Sequence, residues 1–319
     1  MKAIRLLRVG SAEEALAVED VPIPAPKPGE VLIKLAAAGV NFADVGRRTG
    51  IYPVPEFPAM LGLEGAGYVV TLGPGVTAFK VGDRVMANPV PYSYAEYTVA
   101  RVEAVFPVPG TLTLEEAASI PVVFATAWHC LVSAAKAKAG ESVLVHAAGS
   151  GCGVAAIQIA KHLGLRVLAT AGTDAKLEKA QALGADEGIN YRTSSFKEET
   201  LRLTDGEGVD IVLDGIGGET LMQSVECLRL RGRLVTYGKA GGNRKVELDP
   251  FVLWGKHLSV IGMALFGYPR SASEDLFALF QTGRLRPIID RTYPLEQAAQ
   301  AHHYLEERRV FGKVVLTIT

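Results

Sequence analysis

The stretch that most constrains this chain is Ser142–Gly153, SVLVHAAGSGCG. A short apolar run, Ser142–His146, enters a turn of small residues and leaves it as a helical pattern over Gly153–Leu163. Small side chains let the backbone bend sharply and approach a pyrophosphate. The helix behind the turn offers unpaired N–H groups and the positive end of its dipole. The turn is not a strict G-x-G-x-x-G, because Ala148 stands at the first glycine position and Ser150 at the second. Alone, it would also suit a tight strand-to-helix turn that binds nothing. The chain after it decides the fold class. Predicted strands Arg166–Thr170, Gly188–Asn190, Val209–Asp214 and Arg233–Tyr237 alternate with predicted helices Asp174–Leu183, Phe196–Leu203 and Glu219–Leu228. Apolar strands separated by amphipathic helices mean a parallel sheet covered on both faces, a doubly wound Rossmann-type α/β domain.

The flanking sequence has another texture. Up to about residue 118 short strands are broken by glycine and proline: Glu30–Ala36, Ala66–Leu72, Asp83–Ala87 and Tyr97–Val99. This spacing predicts a small, partly closed β structure. A helix over Leu112–Ser119 is entered through Thr111 or Thr113, and a second covers Val122–Ala135. Past residue 256 come a β run, Leu258–Met263, helices Glu274–Gln281 and Leu295–Glu307, and a last strand, Lys313–Ile318, able to pair back onto the N-terminal domain. The expected organisation is therefore 1–118, 119–256 for the Rossmann domain, and 257–319 completing the first domain.

Composition excludes several classes. With 33 basic and 34 acidic residues the net charge is −1, so no basic field is available for nucleic acid. No apolar run approaches the ~18–20 residues of a membrane span, and the charged start MKAIRLLRVGSAEEAL lacks a signal-peptide core. The three cysteines, Cys130, Cys152 and Cys227, lie apart in apolar segments and read as thiols in a reducing compartment. The expected protein is soluble and cytoplasmic.

The end of the strand after the turn bears on the cofactor. Enzymes that use NAD place an acidic residue there for the ribose 2′-hydroxyl. Here the sequence is Thr170-Ala-Gly172-Thr173, with no carboxylate until Asp174. A carboxylate would repel a 2′-phosphate. Its absence, with Lys176 close by and Tyr191–Arg192 after the next strand, favours NADPH. Lys176 reads equally well as a solvated helix-surface lysine, and Tyr191–Arg192 as a strand-end pair.

Several motifs carry a resemblance: Gly39–Asp44 (GVNFAD), Gly50–Pro53 (GIYP), Leu61–Gly67 (LGLEGAG), Gly73–Val85, Ala147–Gly153, Ala182–Asp186 (ALGAD) and Phe311–Val315 (FGKVV). Their order and spacing over nearly the full length resemble the medium-chain dehydrogenase/reductase superfamily, and within it the zinc-independent quinone oxidoreductases of the zeta-crystallin-like branch. The resemblance implies a GroES-like, mainly β catalytic domain made from both chain ends. It also implies a homodimer, or a dimer of dimers, joined through the Rossmann sheets. Asn41 and Thr126 would flank the nicotinamide, Gly238 and Lys239 would line the cofactor, and Asp44 would hold the turn after Asn41.

In the alcohol dehydrogenases that this pattern resembles, cysteine stands at the position of Asn41 and histidine at that of Leu63. A carboxamide is a poor zinc ligand and leucine is none, so no catalytic metal is expected. Without a Lewis acid to polarise a plain ketone, an electrophilic quinone is the expected hydride acceptor. The protein then contributes orientation and an apolar cleft, covered by Gly50–Phe57, Pro89–Tyr94 and Leu265–Pro269. Candidate catalytic residues are Asn41 and Tyr52. Tyr52 either donates to a substrate oxygen or packs against Pro53 and Pro55. The candidate cofactor set is Asn41, Thr126, Ala148, Gly149, Ser150, Gly151, Cys152, Gly153, Gly172, Thr173, Lys176, Tyr191, Gly238 and Lys239. Ser150 adds a hydroxyl beside the pyrophosphate, which either bonds to it or crowds it. The expected activity is NADPH:quinone reduction. The alternatives are an NADPH-dependent reductase of enoyl or 2-alkenal C=C bonds and an NADPH-binding protein without turnover.

Overall fold

The stretch EVLIKLAAAGV is extended throughout, four residues past the predicted Glu30–Ala36. The C-terminal strand accounts for the extra length: Val314–Thr317 pair antiparallel with Val40–Ala37, the expected return of the C-terminus. The computed structural model describes residues 1–88, 92–242, 245–265, 268 and 273–319. The chain divides into two units, Met1–Val123 with Tyr268–Thr319, and Phe124–Gly267.

The first unit begins with β1 (Lys2–Leu6), α1 (Ala12–Ala15), β2 (Leu16–Asp20), β3 (Glu30–Val40), α2 (Phe42–Arg48) and β4 (Ala59–Met60). It continues through β5 (Glu64–Leu72), β6 (Arg84–Ala87), β7 (Tyr97–Arg101), β8 (Val105–Pro107) and α3 (Leu114–Ala117). Thr113 is the residue that caps α3: its hydroxyl accepts the Glu116 N–H, and Glu116 accepts the Thr113 N–H.

The second unit carries α4 (Val123–Trp128), β9 (Ser142–Val145), α5 (Gly151–His162), β10 (Arg166–Ala171), α6 (Asp174–Ala182) and β11 (Glu187–Asn190). Then follow α7 (Phe196–Leu203), β12 (Val209–Asp214), α8 (Glu219–Glu226), β13 (Leu228–Thr236), α9 (Pro250–Gly255) and β14 (Ser259–Gly262). The chain returns to the first unit with α10 (Glu274–Gln281), β15 (Ile289–Pro294), α11 (Ala298–Glu306) and β16 (Lys313–Thr317).

Among the described residues the second unit's sheet has six strands in the order β11-β10-β9-β12-β13-β14, all paired in parallel. The order reverses between β9 and β12, which makes the carboxyl ends of those strands the place for a ligand. β14 pairs with β13, so Leu258–Met263 belongs to this sheet and not to the domain expected from residue 257 onwards. The units part at 123/124 and 267/268, against the expected 118/119 and 256/257.

The first unit's larger sheet runs β15-β16-β3-β5-β6-β8, with β7 also paired to β3. Ile33, Leu35, Val69, Val85, Val314 and Leu316 lie in its core. Register shifts at Leu32/Ile33 and Leu35/Ala37 bend β3 and help the sheet curl, as its predicted partly closed form requires.

Three local expectations change. The helix expected over Val122–Ala135 is α-helical only to Trp128 and continues as a π-helical turn over His129–Ala134, where the Ala135 N–H reaches back to the Cys130 carbonyl at 2.9 Å. β13 starts five residues before the predicted Arg233, because Leu228 pairs with Val209 and a register shift absorbs the polar residues between. β15, with sequence IDRTYP, pairs in parallel with β16 and was not expected. No helix among the described residues is long and apolar enough to cross a membrane.

Candidate active site

In the second unit the turn after β9 is bent by Ala147, whose φ of 52° lies in the left-handed region. The Ala148 N–H then bonds to the Thr170 carbonyl at 2.9 Å, tying the turn to β10. Gly153 is required by contact: a Cβ there would sit 2.8 Å from the Ala148 Cα and 2.9 Å from its carbonyl carbon. The helix begins at Gly151, two residues before the expected Gly153, because Ser150 is its cap. The Ser150 hydroxyl accepts the Gly153 N–H at 3.0 Å. Cys152 lies half-buried in this first helical turn.

At the carboxyl ends of β10 and β11 the predicted residues come together. A Cβ on Gly172 would meet the Tyr191 hydroxyl at 2.8 Å and the Arg192 Nε at 3.1 Å, so both side chains reach across that glycine. Tyr191 is 41% exposed. Thr173 is the N-cap of α6, and Lys176 lies half-buried in its first turn. The one carboxylate here, Asp174, accepts from the Asn190 side-chain amide at 2.8 Å. Beyond β13, Gly238 packs on the Gly215 carbonyl, and the Ala240 N–H bonds to it at 3.0 Å. A Cβ on Gly217 would meet the Lys239 Cα at 3.6 Å. The facing loop is shaped by Asp214, which accepts the N–H groups of Ile216 and Gly217 at 2.7 and 3.1 Å. Burial raises the Asp214 carboxyl above its ordinary range. Thr126 is buried on α4.

The first unit holds the other candidates around α2. The Asn41 carboxamide has both ends engaged. Its Nδ2 donates to Glu64 Oε1 at 3.0 Å, and its Oδ1 accepts from the Lys313 ammonium at 2.9 Å. Lys313 also donates to Glu64 Oε1 and to the Val40 carbonyl, each at 2.7 Å. Asp44 holds the turn: it accepts the Asn41 N–H at 3.0 Å and the Gly62 N–H at 3.1 Å. Burial pushes the Asp44 carboxyl up to about 6, against the two N–H groups that favour its charge. The Tyr94 hydroxyl lies 3.3 Å from both Asp44 Oδ2 and His302 Nε2. The half-buried Tyr52 donates its N–H to the Gly46 carbonyl at 3.0 Å, and its ring packs over Gly46, where any Cβ would collide with it. Of the segments expected to cover the cleft, residues 89–91, 266, 267 and 269 lie outside the described residues.

Residues 27–111 match the alcohol dehydrogenase GroES-like domain, and residues 183–316 match the zinc-binding dehydrogenase family. The chain is 37% identical to a quinone oxidoreductase of Lama guanicoe, over 100% of this chain and 98% of that one. It is 38% identical to a 2-haloacrylate reductase of Burkholderia, over 93% of each chain. The crystal structure of Escherichia coli quinone oxidoreductase complexed with NADPH superposes with a TM-score of 0.92 at 31% identity, covering 99% of this chain and 100% of that one. The chain belongs to the quinone oxidoreductase family of medium-chain dehydrogenases/reductases.

Several residues around the candidate site carry no local signal in the sequence. Arg192, outside the candidate cofactor set, reaches over Gly172 beside Tyr191. Glu64 and Lys313 lie inside the LGLEGAG and FGKVV motifs, where nothing local gives them a role. Asp214 had only its place at a strand end. His146, the residue that enters the glycine turn, was read only as part of the strand. It is buried and hydrogen-bonds Ser224 and Thr170 at 2.8 and 3.1 Å, with the Phe196 ring 4.8 Å away edge-on.

Proposed function

We propose that this protein is an NADPH-dependent, zinc-independent reductase that delivers hydride to a quinone or a similar conjugated carbonyl. The observation that carries the reading is the donor set at Asn41. The family match implies a zinc ion, and these side chains do not fit one. Leu63 offers no ligand atom, and the Asn41 oxygen already accepts from a buried ammonium ion. Among the described residues no group of three or more His, Cys, Asp or Glu side chains is placed to hold a metal. An acceptor at this site must be electrophilic without a Lewis acid, which suits a quinone and not a plain ketone.

Bound NADPH supplies the hydride. The turn Ala148–Gly153 holds the pyrophosphate against the first N–H groups of α5. Gly172 leaves room for the adenosine ribose, while Lys176 and Arg192 neutralise its 2′-phosphate beside Thr173 and Tyr191. Thr126, Gly238 and Lys239 of the second unit orient the nicotinamide end, and Asn41 of the first unit keeps the role that the family resemblance gives it. Tyr52 donates a hydrogen bond to the substrate oxygen as negative charge develops there.

A second reading, reduction of an activated C=C bond, is favoured by the 38% identity to a 2-haloacrylate reductase. The same groups would serve, with Tyr52 facing an enolate. The protein acts in the cytoplasm, with its three cysteines as free thiols. It assembles as a homodimer, or a pair of dimers, through the edge of β14 that no strand among the described residues covers. NADPH oxidation by chelator-treated protein, followed in parallel with 1,2-naphthoquinone, a crotonyl thioester and a 2-alkenal, tests the proposal. Quinone turnover above a buffer blank is expected. Turnover of the alkenes alone would favour the second reading, and none at all would leave an NADPH-binding protein.

A further inference from the structure

Lys313 and Glu64 form an ion pair at 2.7 Å with side chains only 4% and 0% exposed. All three ammonium protons are used, on Val40 O, Asn41 Oδ1 and Glu64 Oε1. The Glu64 carboxylate is likewise occupied, since Oε1 also accepts from Asn41 Nδ2 and Oε2 accepts the Val122 N–H at 2.7 Å. The pair therefore ties together the ends of β3, β5 and β16 and the backbone at Val122.

Asn41 sits between the two charges. Its oxygen faces the cation and its nitrogen the anion, so a half-turn of the carboxamide would set NH₂ against NH₃⁺ and C=O against COO⁻. Gly39 closes the space behind: a Cβ there would lie 2.6 Å from both Glu64 Oε1 and the Ala118 carbonyl. A buried ion pair is a poor way to gain stability, because apolar residues of the same volume fill such a place as well or better. What it does impose is one orientation on the amide between the charges.

We propose that Lys313, clamped by Glu64, is the positioning residue for Asn41, holding its carboxamide in the single orientation that the site needs. The proposal rests on the reading of Asn41 as a group that orients the nicotinamide and its acceptor. Lys313 touches neither and acts through Asn41. It is a fixed internal cation, and it occupies the oxygen donors that a metal would otherwise recruit.

The test compares Lys313→Met, Lys313→Arg and the double variant Lys313→Met/Glu64→Gln, which leaves no unpaired charge buried if the single variant fails to fold. In the double variant the expected result is thermal stability close to that of the original protein, but kcat for 1,2-naphthoquinone lowered about tenfold or more. KM for NADPH should stay within about threefold, because the cofactor's phosphates are held elsewhere. Lys313→Arg should recover part of kcat. The Asn41 side-chain NH₂ resonances, assigned by their loss in Asn41→Ala, should be protected from solvent exchange in the original protein and exchange faster in the double variant. A folded double variant with unchanged kcat and unchanged Asn41 exchange would overturn the positioning role. If the original protein oxidises NADPH with none of the three acceptors, the proposed function fails instead, and the exchange measurement still decides the orientation of Asn41.

Discussion

His146 Nε2 lies 2.8 Å from the Ser224 hydroxyl, and the direction of that hydrogen bond is fixed. Ser224 spends its one proton on the Thr220 carbonyl at 2.6 Å, so Nε2 must donate to Ser224 Oγ. Nδ1 is then the bare nitrogen that accepts from Thr170 Oγ1 at 3.1 Å. A neutral imidazole satisfies every partner, and burial pushes its pKa down to about 4.

The lowered value predicts an acid-sensitive stability. A histidine depressed in the folded state contributes stability that is complete above its ordinary pKa of about 6.5 and is lost as pH falls towards the folded value. His302, lowered to about 3 by burial and by the nearby Arg48 and His303 charges, acts in the same sense. Asp44, raised to about 6, acts in the opposite one, since its protonated form is favoured by folding. Measuring unfolding free energies of the original protein and His146→Gln at both ends of the window isolates one term. Between about pH 7 and pH 5 the gap between the two proteins should shrink by about 2 kcal/mol. A gap independent of pH would mean that the imidazole titrates as it does in water.

Ser150 bears on the glycine turn itself. Because its hydroxyl accepts the Gly153 N–H, Ser150→Ala removes a helix cap and should cost about 1 kcal/mol of stability. NADPH affinity should change by less than about threefold, because the backbone N–H groups that face the pyrophosphate remain. A loss of about tenfold or more in affinity, with stability hardly altered, would place the hydroxyl on the phosphate.

How much of this was legible depended on whether the signal was local. α7, β12 and α10 fall on the residues expected for them, because each is an unbroken periodic run. The start of β13 is not legible because Arg229–Arg231 have no strand pattern; they lie in the irregularity between Leu228, paired with Val209, and Arg233, paired with Ile211. The glycine turn could be recognised because neighbouring residues carry it. The Lys313–Glu64 pair could not, since its members stand 249 residues apart and each sits in an ordinary apolar strand pattern. His146 was hidden in the same way, by hydroxyl partners 24 and 78 residues further on. Asn41 could be seen as a missing metal ligand, but the cation that uses its oxygen could not.

The gathering of Tyr191 and Arg192 over Gly172 gives the cofactor choice a direct test. Lys176→Ala and Arg192→Ala should each weaken NADPH binding by about 1.5–3 kcal/mol, the range for a hydrogen bond to a charged group. NADH, which has no 2′-phosphate, should bind both variants nearly as it binds the original protein. Fluorescence titration with the two cofactors measures this. Equal losses for NADPH and NADH would move the phosphate contact elsewhere.

The last prediction concerns the edge of the parallel sheet. β14 hydrogen-bonds to β13 on one side, and among the described residues no strand pairs with its other side. A bare edge with apolar side chains around it invites a second copy of the chain. Val260 on that strand is exposed. On α9, the helix just before it in sequence, Phe251 and Trp254 are 60% and 63% exposed, stacked edge-to-face at 4.6 Å. Pairing two such edges antiparallel would join the two sheets into one continuous sheet and cover these side chains. A charge on the strand should prevent it, as lysine does on natural edge strands. Val260→Lys combined with Trp254→Glu should therefore lower the mass measured by light scattering from that of a dimer, or a pair of dimers, to that of one chain. NADPH binding should survive, because the turn at Ala148–Gly153 lies at the end of β9, three strands in from this edge. An unchanged mass would assign the assembly to a different surface.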